Sequence, residues 1–206
     1  MHQFGGVPAL AALAWRLPTP LLSASTATVG GGIGLRQWVA NVQVPHDYAR
    51  RDVADHVAEV ADALGLSGPG VGMLTAAEVA AGALAREAGV QVEATVGLDR
   101  PLWAAAPAEA DVTAAAAAPG TVNVVVFLPV RHSEAALANI LCTVTEAKVQ
   151  AFLDGGVPGT GTASDAVTVL CPASGQAEPF GGPRSQYGSR VARAVYAGLR
   201  SGMVPR

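Results

Sequence analysis

Cysteine, aromatic residues and charge are all scarce in this sequence, and each scarcity removes a class of protein. Two cysteines, Cys142 and Cys171, in 206 residues leave no disulfide framework to build on. Aromatic residues make up 5% and charged residues 14%, while half the chain is hydrophobic. A core must therefore be assembled from Ala, Val and Leu, with glycine at the turns. Thirteen Lys and Arg against sixteen Asp and Glu give a net charge of −3 with no basic run, which speaks against nucleic acid as a partner. No apolar run is long enough to span a membrane. The opening MHQFGGVPALAALAWRLPTP is interrupted by Pro8, Pro18 and Pro20 and has no basic leader, so it reads as the start of a mature, cytoplasmic chain.

Motifs are missing too. His2, His46, His56 and His132 form no HExxH and no paired ligand spacing, so no metal site is expected. There is no G-x-S-x-G after a strand for a Ser-His-Asp hydrolase, and neither phosphate-binding motif is present.

What is present is a regular alternation of apolar segments and turn residues, long enough for one domain over 1–206. Leu21 to Val29 and Leu35 to Val44, joined by the glycines at 30–34, predict a β-hairpin that carries Trp38 and Asn41 and runs into Asp47 and Tyr48. Asp52 is placed to cap a helix with Val53, Val57, Val60 and Leu64 inward; His56, beside that stripe, reads as a structural histidine. Thr75 and Glu78 have capping-box spacing and predict a second helix. Val90 to Val96 alternates as a strand, with Trp103 in the loop that follows. Pro107 to Pro119 is an alanine tract expected to be a mobile loop, and Thr121 to Leu128 is the strongest strand, with Asn123 its polar exception. A last helix is expected from Ser189, with Val191, Ala194, Val195 and Leu199 inward. The sum is about six strands and four helices: an α+β or mixed α/β domain with helices packed on a β-sheet.

The densest polar chemistry lies between Ser133 and Cys171. Ser133 caps a helix predicted over Glu134 to Asp154, stopped by Gly155-Gly156 and Pro158. Lys148 falls in the middle of its apolar stripe, where an ammonium needs either a shift to the neutral form or a carboxylate, which must come from elsewhere in the chain. Asn139, Thr143, Glu146 and Gln150 form a polar ridge on the opposite side. A glycine-rich turn follows, with Thr160, Thr162 and Asp165, then a buried strand over Ala166 to Cys171. Thr, Asn, Asp, Glu and Lys beside glycine turns suit general acid and base chemistry on a neutral polar substrate.

Six strings in order, RQWVANVQVPHDYARRD, GPGVGMLTAAEV, ATVGLDRPLWAA, PGTVNVVV, TEAKVQAFLDGGVPGTGTASDAV and EPFGGPRSQYGSRVARAV, closely resemble the CbiZ family of adenosylcobinamide amidohydrolases. The likeness covers about Ser23 to Gly198; the first 20 residues and the alanine tract depart from it. It implies hydrolysis of the amide between the aminopropanol arm and the corrin ring, giving adenosylcobyric acid in cobamide (cobalamin) salvage. A corrinoid is then the small-molecule partner, a homo-oligomer is allowed, and no cofactor is needed because the cobalt belongs to the substrate. The residues inside the matching strings are Asn41, Asp47, Tyr48, Thr75, Thr95, Glu146, Lys148, Thr160, Thr162, Asp165, Arg184 and Ser185; Trp103 joins them as a ring contact.

Amide hydrolysis needs an activated nucleophile, a donor for the oxyanion and an acid for the leaving amine. Glu146 or Asp165 would activate water or a Thr hydroxyl such as Thr162, Lys148 would tune the carboxylate or protonate the leaving amine, and amides of Gly159 to Gly161 would hold the oxyanion. Glu146 and Lys148, two residues apart on one helix, point away from each other, which favours Lys148 with Asp165. A fainter similarity, of strand, long helix, Gly-rich turn and strand, is to the four-layer αββα proteins around DmpA aminopeptidase and ornithine acetyltransferase. Those cut their own chain to free a nucleophile, for which Thr75 or Thr95 would stand here, although the 206 residues are one continuous chain. A non-catalytic corrinoid carrier, with Trp38, Trp103 and Tyr48 against the ring, is the competing reading.

Overall fold

The computed structural model describes residues 2–3, 11–108 and 120–203, so most of the alanine tract lies outside the described residues. The strands are β1 (His2–Gln3), β2 (Ala11–Ser25), β3 (Gly32–Gln43), β4 (Gly70–Thr75), β5 (Ala83–Glu87), β6 (Val90–Val96), β7 (Val122–Phe127) and β8 (Ala166–Pro172). The helices are α1 (Val53–Ala63), α2 (Glu134–Asp154) and α3 (Gln186–Gly202). All strands join one eight-stranded sheet in the order β4-β3-β2-β8-β7-β6-β5, with β1 on β2. The class is α+β with a mixed sheet, as the sequence pattern predicts.

Two β-α-β units organise it. β3 and β4 are parallel and joined through α1; β7 and β8 are parallel and joined through α2. Parallel neighbours need such a crossover. The long strand β2 connects the units, pairing with β3 along both its halves and with β8 through Leu21–Ser25. Its register with β3 shifts between Arg16 and Leu21, the segment that holds Pro18 and Pro20. Proline has no N–H for the ladder, and a bulge bends a strand. The prolines therefore interrupt the pairing without ending the strand, and β2 begins ten residues before the Leu21 that its apolar pattern suggests.

The sheet folds over on itself. β3 and β7 are three strands apart in the sheet order, roughly 14 Å in a flat sheet, yet Asn123 of β7 donates from Nδ2 to Asn41 Oδ1 of β3 at 2.8 Å. Alternation along each strand sorts the core accordingly. Trp38, Ala40 and Val42 of β3 face α1, with Val57, Val60 and Ala61. Val122, Val124 and Val126 of β7 and Val167, Val169 and Cys171 of β8 face α2 and α3. The alternate residues, Val39, Val71, Met73, Val125 and Leu170, pack against one another between the two halves. The result is helix, sheet, sheet and helix in layers, made from one continuous sheet.

Two expectations fail for identifiable reasons. No α-helix follows Thr75: the chain makes a single 3-10 turn over Val79–Ala81 and then enters β5. Thr75 Oγ1 instead accepts from Ala77 N at 3.1 Å, a local turn that competes with helix initiation. The alanines there serve close packing, since a Cβ on Gly202 of α3 would stand 3.5 Å from the Ala83 Cβ and one on Gly198 3.4 Å from that of Ala85. The last helix begins before Ser189, at Gln186, with Ser185 as N-cap accepting from Gly188 N at 3.1 Å. Gly188 looks like a break in the sequence but is required by contact, because a Cβ there would lie 2.0 Å from Gly182 O.

The approach of β4 to β3 is equally tight. A Cβ on Gly70 would fall 1.9 Å from the Trp38 ring, which is held in place by Nε1 donating to Gly68 O at 3.0 Å. Gly70→Ala is expected to destabilise the protein by about 1–3 kcal/mol through overpacking, measured as a lower urea midpoint. An unchanged midpoint would contradict the packing of Trp38 on Gly70.

Candidate functional site

The sheet leaves one end open between its halves. There the C-terminal ends of β3 and β4 meet the N-terminal ends of β7 and β8, around a cavity of about 330 Å³. Its polar lining is Thr28, Tyr48, Arg50, Thr75, Thr121, Asn123 and Ser164, with Met73, Leu74 and Ala166 among the apolar groups. The polar groups arrive there because strand ends and the loop after β3 all open at this edge.

Beneath the cavity is a buried polar chain. Asn123 Nδ2 donates to Asn41 Oδ1 and, at 2.9 Å, to Leu74 O, while Asn41 Nδ2 donates to Thr95 Oγ1 at 3.0 Å. These bonds fix both amide orientations. Among the described residues Asn123 Oδ1 is left buried without a partner. An unpaired buried carbonyl is costly unless a ligand or water meets it. Higher on the wall, Thr121 Oγ1 and Ser164 Oγ are 2.8 Å apart.

At the mouth, the Tyr48 hydroxyl lies 2.7 Å from His56 Nδ1 and the two rings stack with centroids 5.3 Å apart. Burial raises the Tyr48 phenol above its ordinary value. Burial first, and the Arg50 guanidinium second, hold His56 below its ordinary value of 6.5. Arg50 is itself paired with Asp52 and Glu59 and is held above its ordinary value mainly by the hydrogen bonds it donates to those carboxylates, Glu59 first. Asp52, lowered to about 2 chiefly by its bond to Arg50, spends its carboxylate there and makes no side-chain cap on α1.

Asn41, Tyr48, Thr75 and Thr95 thus converge on the inner face, as does the mouth turn with exposed Asp47. Lys148, Asp165 and Thr162 do converge, but behind the wall. Lys148 Nζ is ion-paired to Asp165 Oδ2, and both side chains are nearly buried. Asp165 also accepts from Val122 N at 2.9 Å, Thr162 N at 3.1 Å and Thr162 Oγ1 at 2.5 Å. In the turn that enters β8, Ser164 and Ala166 line the cavity while Asp165 between them turns its carboxylate to Lys148 of α2. Its four bonds leave no lone pair for a substrate, so it is set as an anchor for the turn before β8.

The other candidates are dispersed. Glu146 is exposed on α2, whereas Thr143, of the same polar ridge, is buried and donates to Gly181 O at 2.9 Å. Two amides of the glycine turn are already committed, Gly159 N to Val157 O at 2.9 Å and Thr160 N to Leu102 O at 2.8 Å. Thr160 Oγ1 accepts from Ala104 N at 2.9 Å and ties down the loop that carries the half-exposed Trp103. Trp38 is buried in the layer under α1 and is not available to a ring. Exposed Arg184 and the capping Ser185 sit at the α3 start, reached from the C-terminal end of β8, away from the cavity. Among the described residues no group of three or more His, Cys, Asp or Glu is placed to hold a metal ion, and no helix is long and apolar enough to cross a membrane.

A family model described as adenosylcobinamide amidohydrolase matches residues 5–205. The chain belongs to the adenosylcobinamide amidohydrolase family. Relatives include an adenosylcobinamide amidohydrolase of Halobacterium salinarum, 32% identical over 173 residues, spanning 81% of this chain and 73% of that one. Another, of Methanosarcina mazei, is 27% identical over 184 residues, spanning 85% of this chain and 86% of the relative. Among solved structures, the PH0078 protein of Pyrococcus horikoshii covers 95% of this chain and 76% of its own at 10% identity and a TM-score of 0.43, too distant to bear on fold or site.

By family this amidohydrolase is an enzyme acting on an amide bond, and its cavity holds residues that the sequence motifs do not single out. Thr121 and Ser164 lie at strand starts and carry no spacing signal. His56 sits beside the stripe of α1 like any structural histidine; only its partner eight residues earlier, Tyr48, reveals it. For the anchor behind the wall, Asp165→Asn is expected to cost roughly 3–5 kcal/mol of stability, because it breaks a nearly buried ion pair and turns donors onto donors. Lys148→Met, which leaves Asp165 three bonds, is expected to cost less; equal losses in urea unfolding would contradict the four-bond anchor.

Proposed function

We propose that this chain hydrolyses the amide joining the aminopropanol arm to the corrin ring of adenosylcobinamide, releasing adenosylcobyric acid and aminopropanol in cobamide salvage. The observation that carries the reading, beside family membership, is the open-ended cavity with its unpartnered buried Asn123 Oδ1. At about 330 Å³ the cavity is at the small end of ligand sites. It suits one amide arm, with the macrocycle left at the mouth.

Asn123 Oδ1 supplies an acceptor for the N–H of the scissile amide or the arm's hydroxyl. Thr75, with Thr121 and Ser164 opposite, supplies hydroxyl groups to orient water and the amide oxygen. Lys148, Asp165 and Thr162 serve the site from behind, by fixing the turn that presents Ser164. Glu146 takes no part. The cobalt arrives with the substrate and does no chemistry at the arm.

Incubation of the purified protein with adenosylcobinamide, without added metal, is expected to yield adenosylcobyric acid by liquid chromatography and mass spectrometry. Thr75→Val keeps the shape and removes one hydroxyl; it is expected to lower kcat/KM about tenfold, the scale of one lost hydrogen bond. Binding of adenosylcobinamide with the amide left intact would replace this reading with a corrinoid carrier.

A further inference from the structure

His56 belongs to no charged network that explains its place. It is buried, yet its Nδ1 faces the hydroxyl of Tyr48, a cavity-lining residue, at 2.7 Å. Apart from Tyr48, the one lining residue with a titratable side chain is Arg50, a guanidinium paired with Asp52 and Glu59 and so no base. The charged groups that face His56 are on its own loop and helix: Arg50, Asp52 and Glu59, which are paired with one another. An amide hydrolase needs a base for its nucleophile; Asp165, next to the lining residue Ser164, is turned away and fully engaged, and Asp52 and Glu59 are held by Arg50.

We infer that Tyr48 and His56 form the proton relay of this amidohydrolase, Tyr48 as the catalytic residue at the substrate and His56 as the positioning residue that takes the phenol's proton. This rests on the amide-hydrolysis reading above. With Nδ1 of neutral His56 as acceptor, the Tyr48 O–H donates away from the cavity, and a phenol lone pair is directed at the bound water. As the water oxygen bonds to the amide carbon, its proton passes to Tyr48 Oη and the phenol proton passes to His56 Nδ1. When the carbon–nitrogen bond breaks, Tyr48 returns a proton to the departing nitrogen and recovers its own from His56. One water is consumed, one carboxylic acid and one amine are formed, and no other reactant is needed.

The stacked, partly buried pair suits this task. The burial that raises the phenol also keeps the imidazole neutral near pH 7, so it is ready to accept. The sign of the pH dependence follows. The relay works when His56 is neutral, so kcat/KM falls on the acid side through a pKa below 6.5.

The test is the pH profile of adenosylcobinamide hydrolysis by the whole chain and by Tyr48→Phe and His56→Gln. Tyr48→Phe retains the stack and is expected to lose about 10²–10⁴ in kcat with little change in KM. His56→Gln retains an acceptor that cannot take a proton; it is expected to slow the reaction and to flatten the acid limb, a change a merely structural histidine would not cause. Nuclear magnetic resonance of the His56 ring, without substrate, is expected to place its titration below 6.5 and to shift in Tyr48→Phe. If the unaltered chain hydrolyses the substrate while Tyr48→Phe keeps its full rate, or His56→Gln keeps the acid limb, the relay falls and the reaction stands. If the unaltered chain leaves adenosylcobinamide intact, the reaction reading falls and the relay with it.

Discussion

The hydrogen-bond chain from Leu74 O through Asn123 and Asn41 to Thr95 is the constraint on which the site depends. It joins β4, β7, β3 and β6, strands from both halves of the folded sheet, at the depth where the cavity begins. Elsewhere, beside the half-buried bond from Trp15 Nε1 to Glu93 Oε1 at 3.0 Å, the halves meet mainly through Val39, Val71, Met73, Val125 and Leu170, which attract without direction. A mismatch of a few ångströms there is repacked. Two buried amides that are each other's donor and acceptor do not tolerate it, because any shift leaves unpaired polar groups in a dry layer. The chain therefore fixes the register of one half on the other, and with it the position of Thr75 against Thr121 and Ser164. Asn123, which lines the cavity, is the residue at which that rigid network meets it.

From this follows a division of labour across the wall of β8. Residues on the inner face meet the cavity; residues on the outer face meet α2. Lys148 and Asp165 belong to the second group, and their ion pair holds the start of β8 to the helix and, through Val122 N, to β7. The charge strongest in the sequence is structural, whereas the groups suited to proton transfer are an uncharged phenol and a neutral imidazole.

Much of the fold was legible because it rests on local patterns. The bounds of α2 and β6 follow from a Ser cap, a Gly-Gly stop and strict alternation, and α1 needed only its apolar period. What was not legible depends on distant contacts. Pro18 and Pro20 conceal the first half of β2, since a bulge that tolerates them is set by the strands beside it. Gly188 disguises the start of α3, and the alanines of β5 imitate a helix, both because close packing demands small residues. The pairing of Lys148 with Asp165 could be read from a cation on an apolar stripe. The direction in which Asp165 points could not, because it depends on which face of β8 is covered by α2. Tyr48 was legible as a pocket candidate in the polar and aromatic loop after the hairpin, whereas its bond to His56 shows only in the structure.

The central claim is spatial: the scissile amide enters the open end of the folded sheet, between Tyr48, Thr75 and Asn123. A crystal structure of the Tyr48→Phe variant with adenosylcobinamide tests it most directly. The account predicts the aminopropanol arm in the cavity, with a polar hydrogen of the arm on Asn123 Oδ1 and the corrin ring at the mouth. An arm bound instead beside Arg184 and Ser185, or against the glycine turn at Gly159 to Gly161, would contradict it.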